Sequence, residues 1–371
     1  MGGDKMKLKW SVLLIISCGI LFACNGSGSS ANSGVGSNNL TSLVKNDVIL
    51  GNESGIVYRN GNPIPGAGAN GSLDGSPVTA LLVSEPTAIY AGTQNGNLYL
   101  YNTSTSNWQD ISSYMMGVGT GAVVSLAITQ CNYSLCLSNP FIVVAFSQNG
   151  IVNYLRNPYS GVYQSILPYN NGVFVPGTYL AGTSNTGLYI GSANNQGIYA
   201  SNYNVKNKTY NTSSISPAAY GTITAAISSL MGGTVYMGDK MGSVLLFNTI
   251  STGNTYYMGG GDKILDGSAI TSLGIDNGAN FYAGTESGAV FTSSQVFCPG
   301  QYACNIVTVN RNQFPVPGEI STPVAEVAVD NSNTIYIAKG SILYAYHTNP
   351  YFSWTEANYS GSKITSLALV K

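Results

Sequence analysis

The sequence contains few charged side chains. Of its 371 residues, 14 are Lys or Arg, 15 are Asp or Glu and one is His, so 8% are charged and the formal net charge is −1. Soluble domains carry about 25% charged residues. The scarcity of cations excludes the basic surface that nucleic-acid binding requires, and no run of like charges marks a polyelectrolyte tail.

Catalytic signatures are also missing. His347 is the only histidine and occurs where a predicted strand ends, and no serine lies in a context typical of a nucleophile. No phosphate-binding or dinucleotide-binding glycine motif is present. The sequence therefore predicts no catalytic residue, no cofactor and no metal site, which favours a protein that is not an enzyme.

Apolar and turn-forming residues are abundant instead. Hydrophobic residues make up 44% of the chain, and it contains 45 Gly and 26 Tyr. This apolar content is enough for a large core. β-branched and aromatic residues alternate with turn formers, which favours strands over helices.

Residues 1–23 have the features of an export signal. Three lysines (Lys5, Lys7 and Lys9) precede an apolar stretch at 10–22, and Ala23 follows it. A basic start, a short apolar region and a small residue before the cleavage point are typical of a secretory signal peptide. The stretch is shorter than the about 20 residues that cross a bilayer as a helix.

The string Leu21-Phe22-Ala23-Cys24 resembles the lipobox of bacterial lipoproteins. In that family the cysteine is acylated and becomes the mature N-terminus, so the resemblance implies a lipid anchor, palmitate included, at Cys24. Asn25 in the next position implies the outer membrane of the bacterial envelope. Two alternatives stay open: a signal peptide without lipidation, and a similar string that ends at Cys18.

Residues 25–39 separate this signal from the rest of the chain. They are Gly, Ser, Asn and Ala with one Val, a composition typical of a flexible tether. We therefore divide the chain into a lipoprotein signal peptide (1–23), the lipidated cysteine with its tether (24–39) and a folded domain (40–371).

One string recurs throughout the folded domain. Its pattern is apolar-Tyr-Ala-Gly-Thr, two or three residues, Gly and then apolar-Tyr, as at 89–101. The second Gly of each copy lies at 55, 96, 150, 197, 242, 288 and 340, so copies are 41 to 54 residues apart. A period in this range, made of strands, is typical of a propeller. The sequence predicts an all-β fold, a seven-bladed β-propeller with about four antiparallel strands in each blade.

A second string, in which apolar residues alternate with small ones, precedes most copies of the first string. It predicts the innermost strand of a blade at 78–82, 123–127, 223–227, 270–274 and 324–328. The string returns at 364–369, which predicts that a C-terminal strand closes the blade begun at Val48. The alternative places the first strand at 40–44. Five aromatic residues on predicted outer strands are expected to pack between blades: Trp108, Tyr163, Tyr210, Tyr256 and Trp354.

Four cysteines follow Cys24 and form two local pairs. Cys131 and Cys136 enclose one short segment, and Cys298 and Cys304 enclose another. In an exported protein this arrangement predicts two short-loop disulfides. The rival interpretation is a zinc site, which needs four ligands in CxxC-type spacing.

The repeats resemble those of bacterial ligand-sensor, two-component-regulator and photosystem-assembly-factor propellers. The resemblance rests on strings such as Ile-Thr-Ser-Leu at 364–367 and Ile-Tyr-Ala-Gly-Thr at 89–93, and it covers about residues 40–371. The repeats are WD40-like in period but lack the Gly-His…Trp-Asp signature. The resemblance implies the fold and carries over no catalytic residue.

Few side chains are candidates for ligand binding. The three arginines resemble the arginine clamp of sialidase propellers, although the Asp-box repeats of that family are missing. Two tyrosines that are adjacent in the sequence can stack on sugars. The candidates are Arg59, Arg156, Arg311, Tyr256 and Tyr257. Two acidic pairs, Asp74 with Glu85 and Asp262 with Asp266, are close in sequence, as glycoside hydrolysis would need, and we interpret them as turn residues.

These patterns favour a non-enzymatic platform in the cell envelope. We expect it to bind a protein partner through loops on one face or at the axis, and to contact the membrane through its lipid. The alternative is a propeller that binds or cleaves carbohydrate at the cell surface or in the periplasm.

Overall fold

The computed structural model describes most of the folded domain. The described residues are 43–84, 88–115, 121–129, 141–147, 222–228, 234–248, 265–277, 280–292, 313–319, 321–348, 353–358 and 362–370, with strand segments between 152 and 216 and at 255–257. They belong to a compact unit that spans 40–371. The predicted signal peptide, Cys24 and the tether lie outside them.

The described residues form strands and two 3-10 turns, Ala69–Gly71 and Ser112–Met115, and contain no α-helix. None of them belongs to a helix with the length and apolar character needed to cross a membrane. The all-β prediction is therefore confirmed in this part of the chain.

The strands form seven antiparallel sheets of four strands each. The first sheet contains β1 (Val48–Asn52), β2 (Val57–Arg59) and β3 (Asn62–Ile64). The second contains β4 (Val78–Ser84), β5 (Ala88–Thr93), β6 (Leu98–Asn102) and β7 (Asn107–Asp110). The third contains β8 (Val123–Thr129), β9 (Phe141–Phe146), β10 (Val152–Arg156) and β11 (Tyr163–Ser165).

The remaining sheets follow in chain order. A hairpin of β12 (Tyr169–Asn170) and β13 (Val173–Phe174) precedes the fourth sheet, which contains β14 (Thr178–Gly182), β15 (Gly187–Ser192), β16 (Ile198–Asn204) and β17 (Thr209–Ser216). The fifth contains β18 (Ile223–Ser228), β19 (Thr234–Asp239), β20 (Val244–Asn248) and β21 (Thr255–Tyr257). The sixth contains β22 (Ile270–Ile275), β23 (Phe281–Thr285), β24 (Val290–Thr292) and β25 (Gln313–Phe314). The seventh contains β26 (Val324–Val329), β27 (Ile335–Lys339), β28 (Ile342–His347) and β29 (Ser353–Asn358).

The C-terminal strand β30 (Ile364–Leu369) joins the first sheet rather than forming a sheet of its own. It pairs antiparallel with β1, so that Val48 lies opposite Leu369 and Leu50 opposite Leu367. This is the pairing that the repeated C-terminal string predicts. Leu43 and Val44, which the alternative assigns to a first strand, are not in a strand.

We count the innermost strand of each sheet as its first strand, which in the first sheet is β30. The first strand of each sheet contacts the first strand of the next sheet. The pairs are β4 with β8, β8 with β14, β14 with β18, β18 with β22, β22 with β26, β26 with β30, and β30 with β4. In each sheet the connections from first to second and from third to fourth strand leave at one edge, because consecutive strands are antiparallel. We call this the variable edge. The hairpins from second to third strand and the loops to the next sheet leave at the other, which we call the hairpin edge.

The core lies between neighbouring sheets. Each described hydrophobic cluster takes residues from two successive sheets, as when Ile49 and Val57 of the first sheet pack with Ile89 and Tyr101 of the second. The glycine of the repeated Ala-Gly-Thr string allows this packing. A methyl group at Gly51 would lie 2.6 Å from Val78, and the same holds at other copies of the motif.

The outer-strand aromatics pack between sheets where the structure describes them. Trp354 of the seventh sheet lies 5.5 Å from Phe314 of the sixth, ring centre to ring centre, and 4.9 Å from Tyr346. Trp108 lies 5.2 Å from Tyr101 and packs on the cluster shared with the first sheet. The prediction is confirmed for these two tryptophans, and the side chains of the three tyrosines lie outside the described residues.

Candidate functional site

Six of the innermost strands line a cavity of about 240 Å³ that is partly open to solvent. Its lining comes from β4, β8, β18, β22, β26 and β30, and it consists of aliphatic and hydroxyl side chains with one carboxylate. The small residues of the first-strand string therefore face this cavity, as the sequence predicts for strands crowded near an axis. The hydroxyl groups are those of Thr79, Ser125, Thr224, Thr271, Ser272 and Ser366.

Threonine hydroxyls join the first strands of successive sheets. In each case the second residue of one first strand donates to the carbonyl of the first residue of the next, and we call this contact a threonine bridge. The bridges are Thr79 to Val123 at 2.5 Å, Thr224 to Ile270 at 2.5 Å and Thr365 to Val78 at 2.6 Å. Thr271 occupies the same position in β22, but its hydroxyl has no partner among the described residues.

Glu326 is the one ionisable side chain in the described lining. It lies in β26, is half-buried, and accepts a hydrogen bond from the Ser272 hydroxyl of the neighbouring sheet. Ser272 Oγ also accepts the Val327 backbone N–H at 2.7 Å, which fixes the hydroxyl between the two strands. Burial raises the pKa of Glu326 to about 7, although the hydrogen bonds from Ser272 and Val327 favour the charged form.

The aspartates have a different role. All seven that the structure describes accept a hydrogen bond from a backbone N–H within four residues of them in the chain: Asp47, Asp74, Asp110, Asp239, Asp266, Asp276 and Asp330. This is the geometry of side chains that shape turns. The interpretation of Asp74 and Asp266 as turn residues is therefore confirmed, and their expected partners Glu85 and Asp262 lie outside the described residues.

Asp74 and Asp266 belong to the same local motif. Each follows a leucine in the string Leu-Asp-Gly-Ser, at 73–76 and 265–268. Asp74 accepts four hydrogen bonds of 2.7 to 2.9 Å from Ser76, Thr93 and Asn97. Burial would raise the pKa of both carboxyl groups, but their hydrogen bonds outweigh it and hold the pKa below its ordinary value.

The leucine of this motif ties one sheet to the next at the hairpin edge. Its N–H donates to the carbonyl of the preceding hairpin glycine, from Leu73 to Gly55 and from Leu265 to Gly242, both at 2.9 Å. Gly55 has φ +78°, and a methyl group there would lie 2.6 Å from the Ser76 carbonyl. Glycine at this position therefore serves a backbone contact between sheets.

The arginine that the structure describes is part of the framework. Arg59 forms an ion pair with Asp47 at 2.6 Å, and both side chains are 9% exposed. Asn60 also donates to the Asp47 carboxylate at 2.6 Å. Because Asp47 occupies its guanidinium, Arg59 is anchored at the start of the first sheet.

The other candidates are described only in part. β10 ends at Arg156, and Tyr256 and Tyr257 lie in β21, the outer strand of the fifth sheet, but their side chains lie outside the described residues. Arg311 and the four cysteines, Cys131, Cys136, Cys298 and Cys304, also lie outside them. His347 ends β28, and its Nε2 lies 3.3 Å from the Thr355 hydroxyl.

No family model and no curated protein matches this chain. Solved structures do match: RRP9 WD40 repeats are 12% identical with a TM-score of 0.53, covering 78% of this chain and 82% of that one. The β-propeller domain of Myceliophteria thermophila Cps50 (Swd1) is 11% identical with a TM-score of 0.52, covering 79% and 85%. The chain has a β-propeller fold.

Two further matches extend this finding. The computationally designed protein Ika8 is 14% identical with a TM-score of 0.53, and the match covers 88% of this chain and 92% of that one. The extracellular domain of BT4673 from B. thetaiotaomicron, described as a hybrid two-component system, is 15% identical with a TM-score of 0.50. The match covers 80% of this chain and only 37% of BT4673. At these identities the likeness carries the fold alone.

Proposed function

We propose that this chain is a non-enzymatic propeller that acts as a protein-binding platform in a bacterial cell envelope. In this proposal seven blades surround the axial cavity, and β30 closes the ring by completing the first blade. Cys24 carries the lipid that anchors the protein, in the outer membrane, and two disulfides, Cys131–Cys136 and Cys298–Cys304, stiffen two of the connections.

The succession of sheets supports the seven-bladed ring. There are seven four-stranded sheets, and the succession of contacts between first strands returns from β30 to β4. β30 also covers the edge of β1, which would otherwise present unpaired backbone groups. Threonine bridges add side-chain hydrogen bonds across three of these junctions.

The observation that carries the platform is the different construction of the two edges. At the hairpin edge the connections from second to third strand have 2 to 5 residues and the loops to the next sheet have 5 to 13. Three of these hairpins accept a backbone hydrogen bond from the loop or strand that leads into the next sheet, at Gly55, Gly242 and Gly340. At the variable edge the connections within one sheet have 2 to 20 residues. Loops of varied length on a rigid scaffold are where binding surfaces are built. Both cysteine pairs fall in connections of the variable edge, at 130–140 and 293–312.

The roles of the acidic residues also support binding over catalysis. The described aspartates shape turns, and Asp47 with Arg59 holds the start of the first sheet. These groups are committed to the framework, which suits a rigid body that presents loops to a partner. The extracellular domain of BT4673 is a propeller-like neighbour from a signalling protein, and it agrees with a binding role.

Crosslinking in intact envelopes tests the proposal. A tagged full chain is crosslinked, solubilised and purified, and the captured molecules are identified by mass spectrometry. The controls are a chain that ends after the tether, and Cys24→Ala, which is expected to lose its membrane association. One or two envelope proteins captured only with the folded domain are the expected result. Capture of glycan or peptidoglycan fragments without a protein would contradict the platform and favour the carbohydrate alternative.

A further inference from the structure

The axial cavity contains a charge that nothing described balances. Glu326 lines the cavity. Among the described residues the ion pair joins Arg59 to Asp47, and Glu326 takes no part in it. The described hydrogen-bond donors to the carboxylate, the Ser272 hydroxyl and the Val327 backbone N–H, are both neutral. Moving a carboxylate out of bulk water costs free energy when no cation pairs with it. Binding of a cation offsets part of this desolvation cost.

The strands around Glu326 supply no cation. β22 and β30, which pack on either side of β26, contain no ionisable residue. Lys339 of β27 lies in the same sheet, but its Nζ donates to the Gly288 carbonyl at 3.1 Å. The charge is therefore available to a ligand that enters the cavity.

The rest of the lining defines the chemistry of that ligand. Hydroxyl groups of Ser125, Ser272 and Ser366 can accept hydrogen bonds, while Leu273, Val327 and Leu367 supply apolar surface. A primary ammonium group has three N–H donors and no acceptor, so one carboxylate and two hydroxyls satisfy it. The apolar lining suits an alkyl chain attached to that ammonium group.

From this arrangement we propose that the axial cavity binds a primary alkylammonium group, with Glu326 as its counter-ion. The group belongs to a small amine or to the end of a lysine side chain. Pockets for drug-sized ligands have about 300 Å³ or more, so a cavity of about 240 Å³ fits a short alkyl chain. This site is independent of the partner surface proposed at the variable edge.

Calorimetric titration of the purified full chain at pH 8 tests the assignment. The probes are n-pentylamine, the neutral isostere 1-pentanol, and a short peptide with one lysine. The amine or the lysine peptide is expected to bind and 1-pentanol to bind at least about tenfold more weakly, because it offers no charge to Glu326. Binding of the amine alone assigns a small ligand, and binding of the peptide assigns a protein side chain.

Two variants of the same substitution separate the site from general charge effects. Glu326→Gln keeps an acceptor for Ser272 but removes the charge, and it is expected to weaken binding by about tenfold or more. Glu356→Gln changes an exposed glutamate on β29 and is expected to bind as the unmodified chain does. Equal binding by both variants, or no binding of either amine probe, would overturn the proposal.

The pH dependence of the unmodified chain gives a test that needs no variant. The pKa of Glu326 is about 7, and the amine stays protonated throughout this range. Binding should therefore strengthen by about tenfold between about pH 6 and about pH 8, as the carboxyl group ionises. Binding that is unchanged over this interval would show that Glu326 is not the counter-ion.

Discussion

Hydroxyl and carboxylate side chains add hydrogen bonds at the turns of this propeller and between its sheets, beside the hydrophobic core. Each described aspartate shapes a turn, and each threonine bridge spans two sheets with one hydrogen bond. This explains how a chain with 8% charged residues builds a fold of many turns. The described aspartates are placed where a backbone N–H needs an acceptor.

Threonine bridges are tested by two matched substitutions. Thr224→Val removes the 2.5 Å bond to the Ile270 carbonyl and is expected to lower the free energy of unfolding by about 1 kcal/mol. Thr271→Val removes a hydroxyl that has no described partner, so its stability is expected to be unchanged or slightly higher. Chemical denaturation measures both. An equal loss in the two variants would contradict the role assigned to the bridge.

Glu326 makes stability depend on pH in a defined direction. Burial raises its pKa from 4.5 to about 7, so the folded chain binds this proton more tightly than the unfolded chain does. Its contribution to stability is therefore complete below pH 4.5 and is lost as pH rises to about 7. Denaturation in this interval should show a decline that Glu326→Gln removes. A decline that persists in Glu326→Gln but disappears in Glu356→Gln would contradict the assignment.

At the scale of strands, the sequence predicts those strands that a short repeated string marks. The Ala-Gly-Thr string marks second strands because its glycine leaves room for a β-branched residue of the next sheet, as Gly284 does for Val324. β14 has the string Thr-Tyr-Leu-Ala-Gly, which departs from the other first strands, so the repeated string does not predict it. The hairpin of β12 and β13 was also not predicted, since two-residue strands carry no periodicity.

The candidate site was less predictable than the strands. Glu326 is a single acid in the alternating string Val-Ala-Glu-Val-Ala-Val, and nothing in that string tells whether it faces a cavity or solvent. Two threonine bridges join residues 44 and 46 apart in the sequence and the third joins residues 287 apart, so only the arrangement of neighbouring sheets reveals them. Arg59 was a binding candidate because arginine is scarce, but its partner Asp47 precedes it by a whole hairpin.

The C-terminal strand is tested through Leu367. This side chain is 7% exposed and lies opposite Leu50 of β1. Leu367→Ala is expected to lower the free energy of unfolding by about 2–5 kcal/mol, because it leaves a cavity where β30 pairs with β1. The control, Val44→Ala, changes a side chain that is 58% exposed and should alter stability by less than about 0.5 kcal/mol. Similar values for the two variants would contradict the pairing.

At the scale of the whole molecule, the fold positions surfaces but does not choose a ligand. At the hairpin edge the hairpins are short and three of them are bonded towards the next sheet, whereas the variable edge carries the longest connection, 293–312, and both cysteine pairs. The account therefore predicts that a partner contacts the variable edge. The axial cavity, with Glu326 at its wall, is a separate site for a smaller ligand.

Site-specific photo-crosslinking in intact envelopes tests the platform most directly. A photoreactive residue replaces either Thr105, exposed in the β6–β7 connection of the variable edge, or Asn95, exposed in the β5–β6 hairpin of the opposite edge. Both positions belong to the second sheet, so they differ only in the edge they occupy. The account predicts an adduct with one envelope protein from position 105 and none from position 95. Adducts at position 95 alone, or glycan adducts in place of a protein, would contradict it.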